Sequence, residues 1–184
     1  MAGTRMTSRF SRARGLPRPA YESWAESLRL QPGRPTRILA WAPVLPRDGE
    51  EQFCIGSPAV LSAGGGSGWG HVGWHQVEHG GWNAELHQLS WVLLDGHRGA
   101  VQTEEPGRLP ELFRERVEAT IVVKQFVALT GERGVLISAR RDLSGAGTIS
   151  WHTRLTRGLS LSSPGVADAV DAALAATRAE YDLA

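Results

Sequence analysis

Residues 120–155 read TIVVKQFVALTGERGVLISARRDLSGAGTISWHTRL, and the class of fold follows from this stretch. Ile121, Val123, Val127 and Leu129 fall on one face of an extended chain, as in a half-buried strand. The segments TGERG and DLSGAG are typical turns, and each joins two strand-like segments. The stretch therefore predicts two consecutive hairpins, and hence an antiparallel sheet.

The preceding hundred residues carry the same kind of signal. Pro58 interrupts one apolar segment and favours a bulge or an edge position, because proline cannot donate to a ladder. The GGGSG segment at 64–68 is typical of a hairpin loop. Together with the two hairpins, these segments predict an antiparallel meander of about seven strands; the strand-like segments upstream of residue 100 are 37–45, 53–63, 69–82 and 85–96.

Two amphipathic helices complete this pattern. One is predicted at 109–119, where Pro110 suits the first turn. The other follows Ser162 or Ser163 as a cap, with Pro164 in its first turn. The predicted fold class is therefore α+β: an antiparallel β-meander or small barrel, one short inserted helix and a C-terminal capping helix.

The N-terminal segment differs from the rest in charge. Residues 1–37 hold eight arginines and two glutamates, a charge of +6, whereas residues 38–184 hold twelve basic and seventeen acidic residues, a charge of −5. A basic arm favours an anionic partner, although arginine richness also reflects base composition. We therefore treat residues 1–36 as a flexible arm whose candidate contacts with an anionic partner are Arg5, Arg9, Arg12 and Arg14.

A short helix is predicted inside this arm, at 20–30. Trp24 and Leu28 lie on its apolar face, at helical spacing. A helix this short is not stable alone in water, so the face must dock on the protein's own body or on a partner. The body is the simpler choice, and a partner-binding anchor at Trp24 and Leu28 is the alternative.

The composition excludes several classes of protein. A lone cysteine, Cys54, rules out an internal disulfide scaffold and fits a reducing compartment. It lies in an apolar strand segment, which predicts a buried and unreactive thiol. The sequence has neither an apolar run of ~18 residues nor the apolar core of a secretory signal, so we expect a cytoplasmic protein without a transmembrane segment.

One short motif suggests a metal. Residues 75–79 spell H-x-x-E-H, which on a helix would present His75 and His79 to zinc, with Glu78 as general base. Glycines bracket the segment, so a strand is favoured, and on a strand the two imidazoles would lie about 13 Å apart. Surface strand histidines are therefore the preferred interpretation, and a zinc-dependent hydrolase is the alternative.

The remaining arginines give a weaker signal. Arg140 and Arg141 are adjacent on a predicted strand, so they point to opposite faces and at most one can face a given ligand. Scattered solvated charge is the preferred interpretation, and a surface anion site that includes one of them is the alternative. Residues 69–95 are rich in tryptophan but hold no lysine or arginine, which argues against nucleic acid on that surface.

Residues 37–183 resemble the bacterial members of the pleckstrin-homology-like superfamily, in particular an uncharacterised actinobacterial group. The resemblance rests on soft patterns: RILAWAPV, FCIGSPAVL, Trp74-His75-Gln76-Val77, a terminal W-x-x-x-L strand, and a final helix after SSPG. It implies a barrel that binds peptides, proteins or anionic lipid head groups and is not an enzyme. No ligand-contacting residue can be transferred by position.

These observations predict a basic arm, 1–36, and a binding domain, 37–184. We expect a non-enzymatic interaction module with a protein partner and without a cofactor. The two alternatives are the zinc-dependent hydrolase at 75–79 and anion-driven association with nucleic acid or membrane through the arm.

Overall fold

The computed structural model describes residues 15–29, 37–46 and 49–181. Over these ranges the chain forms ten strands and three helices, so the α+β class is confirmed. The helices are α1 (Arg18–Arg29), α2 (Leu109–Thr120) and α3 (Val166–Tyr181). The strands are β1 (Ala40–Val44), β2 (Gln52–Gly56), β3 (Val60–Gly65), β4 (Gly68–Gly73), β5 (Val77–Asn83), β6 (Gln88–Leu93), β7 (Arg98–Gln102), β8 (Ile121–Thr130), β9 (Arg133–Arg141) and β10 (Ile149–Leu155).

The strands pair in three antiparallel meanders. Sheet A has the order β1-β2-β3-β4, sheet B the order β5-β6-β7, and sheet C the order β10-β9-β8. A 3₁₀ turn at Trp74–Gln76 separates the first two sheets in sequence, and α2 separates the second from the third. The two hairpins predicted over 120–155 are confirmed as sheet C.

Three details of the predicted meander are wrong. Ten strands replace about seven, because the segments 53–63 and 69–82 each contain a turn that divides them. Pro58 lies in a turn between β2 and β3 and forms no bulge. In the described ranges no sheet closes into a barrel, since the 3₁₀ turn and α2 interrupt the ladder twice.

Helix α1 covers one face of sheet A. Its predicted apolar face is confirmed: Trp24 is 0% exposed and Leu28 is 1% exposed. They pack against Phe53, Ile55 and Val60, which belong to the two central strands of the sheet. The face predicted to need a docking surface therefore has one in the chain's own body.

The opposite face of sheet A forms the largest core with sheet B and α2. Cys54 and Leu61 pack there with Leu112 and Phe113 of the helix. Glycines in the strands allow this approach: a Cβ on Gly56 would lie 2.5 Å from Leu112 Cδ2, and one on Gly80 would lie 2.9 Å from Phe113 Cζ. Small residues in β2 and β5 thus determine where α2 sits.

Helix α3 covers one face of sheet C, packing Val170 against Val135 and Ile137. The prediction of a capping helix is correct, but its start is not. The helix begins at Val166, because Gly165 adopts a left-handed φ of +74° and ends the turn that contains Pro164.

The arginines singled out in the arm, Arg5, Arg9, Arg12 and Arg14, lie outside the described residues. Their role toward an anionic partner stays a prediction, as does the division of the chain at residue 36.

Candidate functional site

Sheet C has one face covered by α3 and a second face that α3 does not cover. Strand alternation places Leu136, Ser138 and Arg140 of the central strand on this second face. Each has a register partner on both neighbouring strands. Ser138 lies between Lys124 and His152, and Leu136 lies between Phe126 and Arg154. The face therefore carries a polar row beside a partly apolar row.

A cleft opens where this face meets β5. Its volume is about 290 Å³. Its floor comes from sheet C, and Glu78, His79 and Leu94 form the opposite wall. The full lining is Glu78, His79, Leu94, Ile121, Lys124, Leu136, Ser138, Arg140, Thr153 and Arg154.

Arg140 is the most unusual group in the cleft. It is 5% exposed, although arginine is rarely buried without a paired charge. Its Nη1 donates to Thr120 Oγ1 over 3.1 Å, and its Nη2 donates to the main-chain oxygen of Glu78 over 3.2 Å. Its Nε is buried and has no hydrogen-bond partner among the described residues. Both of its acceptors are neutral, so the cation has no ion-pair partner in this part of the chain.

The carboxylate of Glu78 is engaged elsewhere. Arg154 Nε lies 3.0 Å from Glu78 Oε1, and His79 Nδ1 lies 3.5 Å from Oε2. The lining thus holds three cations, Lys124, Arg140 and Arg154, and a single carboxylate. Its excess positive charge favours an anion.

A pair of histidines lies beside this charge. His152 Nε2 is 2.9 Å from Ser150 Oγ, and His75 Nδ1 is 3.4 Å from Asp142 Oδ1. Burial lowers the pKa of His152, and the positive charges of Arg140 and His75 lower it further. Burial also lowers the pKa of Arg140, while the Glu78 carboxylate opposes that shift. The arginine still remains a cation, because its ordinary pKa is far above neutrality.

The histidine motif is divided between different elements. His75 lies in the 3₁₀ turn and His79 on β5, so the single strand expected to carry both histidines is not present. A third histidine, His71, lies on β4. His79 is beside Glu78, whereas His75 is beside Asp142. Over the described ranges, no three histidine, cysteine or acidic side chains come together in a way that could hold a metal ion.

Three further predicted positions have clear locations. Trp24 and Leu28 are buried under sheet A, so their side chains are not at the surface. Cys54 is fully buried as predicted, and burial raises its pKa to about 12, which keeps the thiol protonated at neutral pH. The predicted anchor and the lone thiol are thus both parts of the core.

Sequence reasoning found part of the cleft. It predicted that Arg140 and Arg141 face opposite sides, and the structure agrees: Arg140 is buried and Arg141 is exposed. It did not single out Lys124, and it did not predict the contact between Arg140 and Glu78. The available signal was alternation, because Lys124 and Phe126 lie on the face of β8 opposite Val127 and Leu129, which is the side where Arg140 also points.

The comparisons with known proteins add no assignment. No family model, curated protein or solved structure matches the chain. None of the helices in the described ranges is long and apolar enough to cross a membrane.

Proposed function

We propose that this chain is a non-enzymatic binding module and that its cleft receives an anionic group of the ligand. The observation that carries the proposal is the buried guanidinium of Arg140, whose protein acceptors are both neutral. Taking a guanidinium out of water costs several kcal/mol unless a counter-charge is present. A ligand carboxylate or phosphate would add to the partial compensation that the nearby Glu78 carboxylate provides.

The remaining hydrogen-bonding capacity supports the same ligand chemistry. Arginine has five N–H donors. Thr120 and Glu78 accept from Nη1 and Nη2, and the Nε donor has no acceptor in the described part of the chain. A planar anion with two oxygens fits a guanidinium edge through two parallel hydrogen bonds. Lys124 and Ser138 line the same cleft and would extend the set of donors.

The Glu78 carboxylate near Arg140 would make the cleft selective among anions. Glu78 is bonded to Arg154, so it lowers the positive potential without occupying Arg140. An anion that enters must approach Arg140 and Lys124 while it avoids the Glu78 carboxylate. This arrangement favours one well-placed anionic group over a dense polyanion.

The test is a titration of the full chain, isotopically labelled at arginine Nε, with inorganic phosphate and separately with acetate. We expect the Arg140 Nε–H resonance to shift and saturate. Arg140→Gln should abolish saturable binding, and Arg141→Gln should not, because Arg141 is adjacent in sequence but exposed on the other face.

A second variant keeps the test valid if Arg140→Gln does not fold. Lys124 is exposed, so Lys124→Gln leaves the core unchanged and should weaken binding by several-fold. If neither anion shifts the Arg140 resonance, or if Arg140→Gln and Arg141→Gln bind equally, the proposal is wrong.

The other sequence-based hypotheses stay predictions: the pleckstrin-homology-like resemblance, a protein partner, the cytoplasmic location and association through the arm. No observation in the cleft favours the zinc-dependent hydrolase over the binding module, so we do not propose it.

A further inference from the structure

The uncovered face of sheet C extends beyond the cleft, and the extension is apolar. Phe126 is 49% exposed, although phenylalanine is among the residues that are most often buried. Its register partner is Leu136, which also lines the cleft. An exposed aromatic ring therefore adjoins the cationic cleft on a continuous surface. We define the uncovered face by Lys124, Phe126, Leu136, Ser138 and Arg140.

The charged and apolar side chains of the uncovered face are spaced like alternate residues of a strand. Lys124 and Phe126 are two residues apart on β8, so they lie about 6.7 Å apart on the same side. An extended peptide has the same repeat, because its alternate side chains also point to one side. A carboxylate and an apolar side chain two residues apart in such a peptide would match the polar row and the apolar row.

The depth of the cleft separates this ligand from a membrane or a nucleic acid. Arg140 is almost completely buried at the base of the cleft, so a flat surface cannot reach it. A single carboxylate on a flexible side chain can enter the cleft beside Glu78 and still contact the guanidinium.

We propose that the uncovered face binds an extended acidic segment of a partner protein. One carboxylate of the segment enters the cleft, and an aromatic or aliphatic side chain two residues away packs on Phe126 and Leu136. This inference rests on the proposed function, because the cleft supplies the anion site, and it adds the class of ligand and its spacing.

The experiment selects ligands for the full chain from a phage-displayed library of random peptides. We expect the enriched peptides to contain Asp or Glu two residues from an aromatic or aliphatic residue. The best peptide is then synthesised, together with an amide version of its acid and a version with one glycine inserted between the two positions. Both changes should weaken binding about tenfold or more, the usual cost of losing a central contact.

Protein variants locate the surface. Phe126→Ser and Lys124→Glu alter exposed side chains, so the fold should persist, and each should weaken binding about tenfold. The matched controls are Leu161→Ser, an exposed leucine outside sheet C, and Arg141→Glu, on the other side of β9. The controls should change the affinity by no more than about twofold, as is usual for surface substitutions.

Three outcomes overturn the inference. They are the absence of any enriched peptide, enrichment without the acidic–apolar spacing, and binding that is equal in Phe126→Ser and Leu161→Ser. Vesicles of phosphatidylcholine and phosphatidylserine form a separate arm, and binding to them that depends on Phe126 and Lys124 also overturns it. The phosphate titration of Arg140 is independent of these results, so the inference can fail while the proposed function stands.

Discussion

The guanidinium of Arg140 donates from Nη2 to the main-chain oxygen of Glu78 over 3.2 Å, and this bond joins β9 of sheet C to β5 of sheet B. The Nη1 group donates to Thr120 Oγ1, whose own hydroxyl donates to the main-chain oxygen of Val117. The arginine is thus fixed on two sides by α2 and β5. A donor held in place before the ligand arrives loses little entropy on binding.

Replacing Arg140 with methionine should separate binding from stability. The substitution loses two hydrogen bonds to neutral acceptors, at about 1 kcal/mol each. It also removes a buried cation without an ion-pair partner, whose desolvation costs several kcal/mol. We therefore expect the free energy of unfolding of Arg140→Met, measured in urea, to fall by no more than about 1 kcal/mol, while phosphate binding disappears.

The control for this prediction is Arg141→Met, which should bind phosphate like the unmodified chain because Arg141 is exposed on the other face. A loss of more than about 3 kcal/mol in Arg140→Met would show that the arginine is mainly a structural group, since breaking a buried charged network has that magnitude.

His152 should make stability depend on pH. Burial, then Arg140 and His75, hold the pKa of its imidazole below its ordinary value. The unfolded chain therefore binds more protons than the folded chain as the pH falls through about 6.5. The contribution of His152 to the free energy of unfolding is complete above that pH. It is lost as the pH falls further, with a slope of at most ~1.4 kcal/mol per pH unit.

Urea unfolding at about pH 7.5 and about pH 5.5 measures this slope. His152→Asn should flatten it, because asparagine does not titrate. Equal slopes in His152→Asn and the unmodified chain would contradict the assignment.

Local periodicity predicted the elements that depend on near neighbours. The face of α1 that contains Trp24 and Leu28, the inserted helix and the two hairpins of sheet C were all found in this way. The sequence did not predict the division into three sheets, because the first break falls at the 3₁₀ turn Trp74–Gln76, inside an apolar segment. Whether such a turn forms depends on which distant strands pair, and a local sequence pattern carries no information about that pairing.

The cleft was less predictable for the same reason. Glu78 and Arg140 are 62 residues apart and meet only because sheets B and C lie side by side. Alternation could predict that Arg140 and Arg141 diverge, but not which of them is buried. The H-x-x-E-H motif suggested Glu78 as a general base, whereas in the structure the Glu78 carboxylate forms an ion pair with Arg154.

Truncation at two points should distinguish the arm from the core. Removing residues 1–14 deletes four candidate arginines and none of the described core, so we expect an unchanged urea midpoint. Removing residues 1–36 also removes α1 and exposes Phe53, Ile55 and Val60. Truncating even one buried tryptophan costs about 3–5 kcal/mol, so the longer deletion should unfold or aggregate.

The point variant Trp24→Ala tests the same contact without shortening the chain. It should cost about 3–5 kcal/mol of unfolding free energy. Trp24→Phe should cost clearly less, because it keeps most of the ring and removes a buried Nε1 donor that lacks a partner in the described ranges. Equal stability of Trp24→Ala and the unmodified chain would mean that α1 does not dock on sheet A in solution.

His71 couples α1 to sheet A through two serines. Its Nδ1 lies 2.9 Å from the hydroxyl of Ser62, and its Nε2 lies 3.1 Å from that of Ser27 on α1. Ser62 is 0% exposed, so His71→Leu would leave a buried hydroxyl without this partner, at a cost of about 1–3 kcal/mol.

A double-mutant cycle in urea makes this prediction specific. The variant that combines His71→Leu with Ser62→Ala removes both partners, and such a change can be nearly neutral for the bond itself. We therefore expect the double variant to be more stable than the sum of the two single losses predicts, with an interaction energy of about 0.5–3 kcal/mol. His71→Leu combined with Ser90→Ala, on sheet B, should be additive, because neither residue contacts the other's partners. Additive losses for His71 and Ser62 would show that the hydrogen bond between them does not contribute to stability.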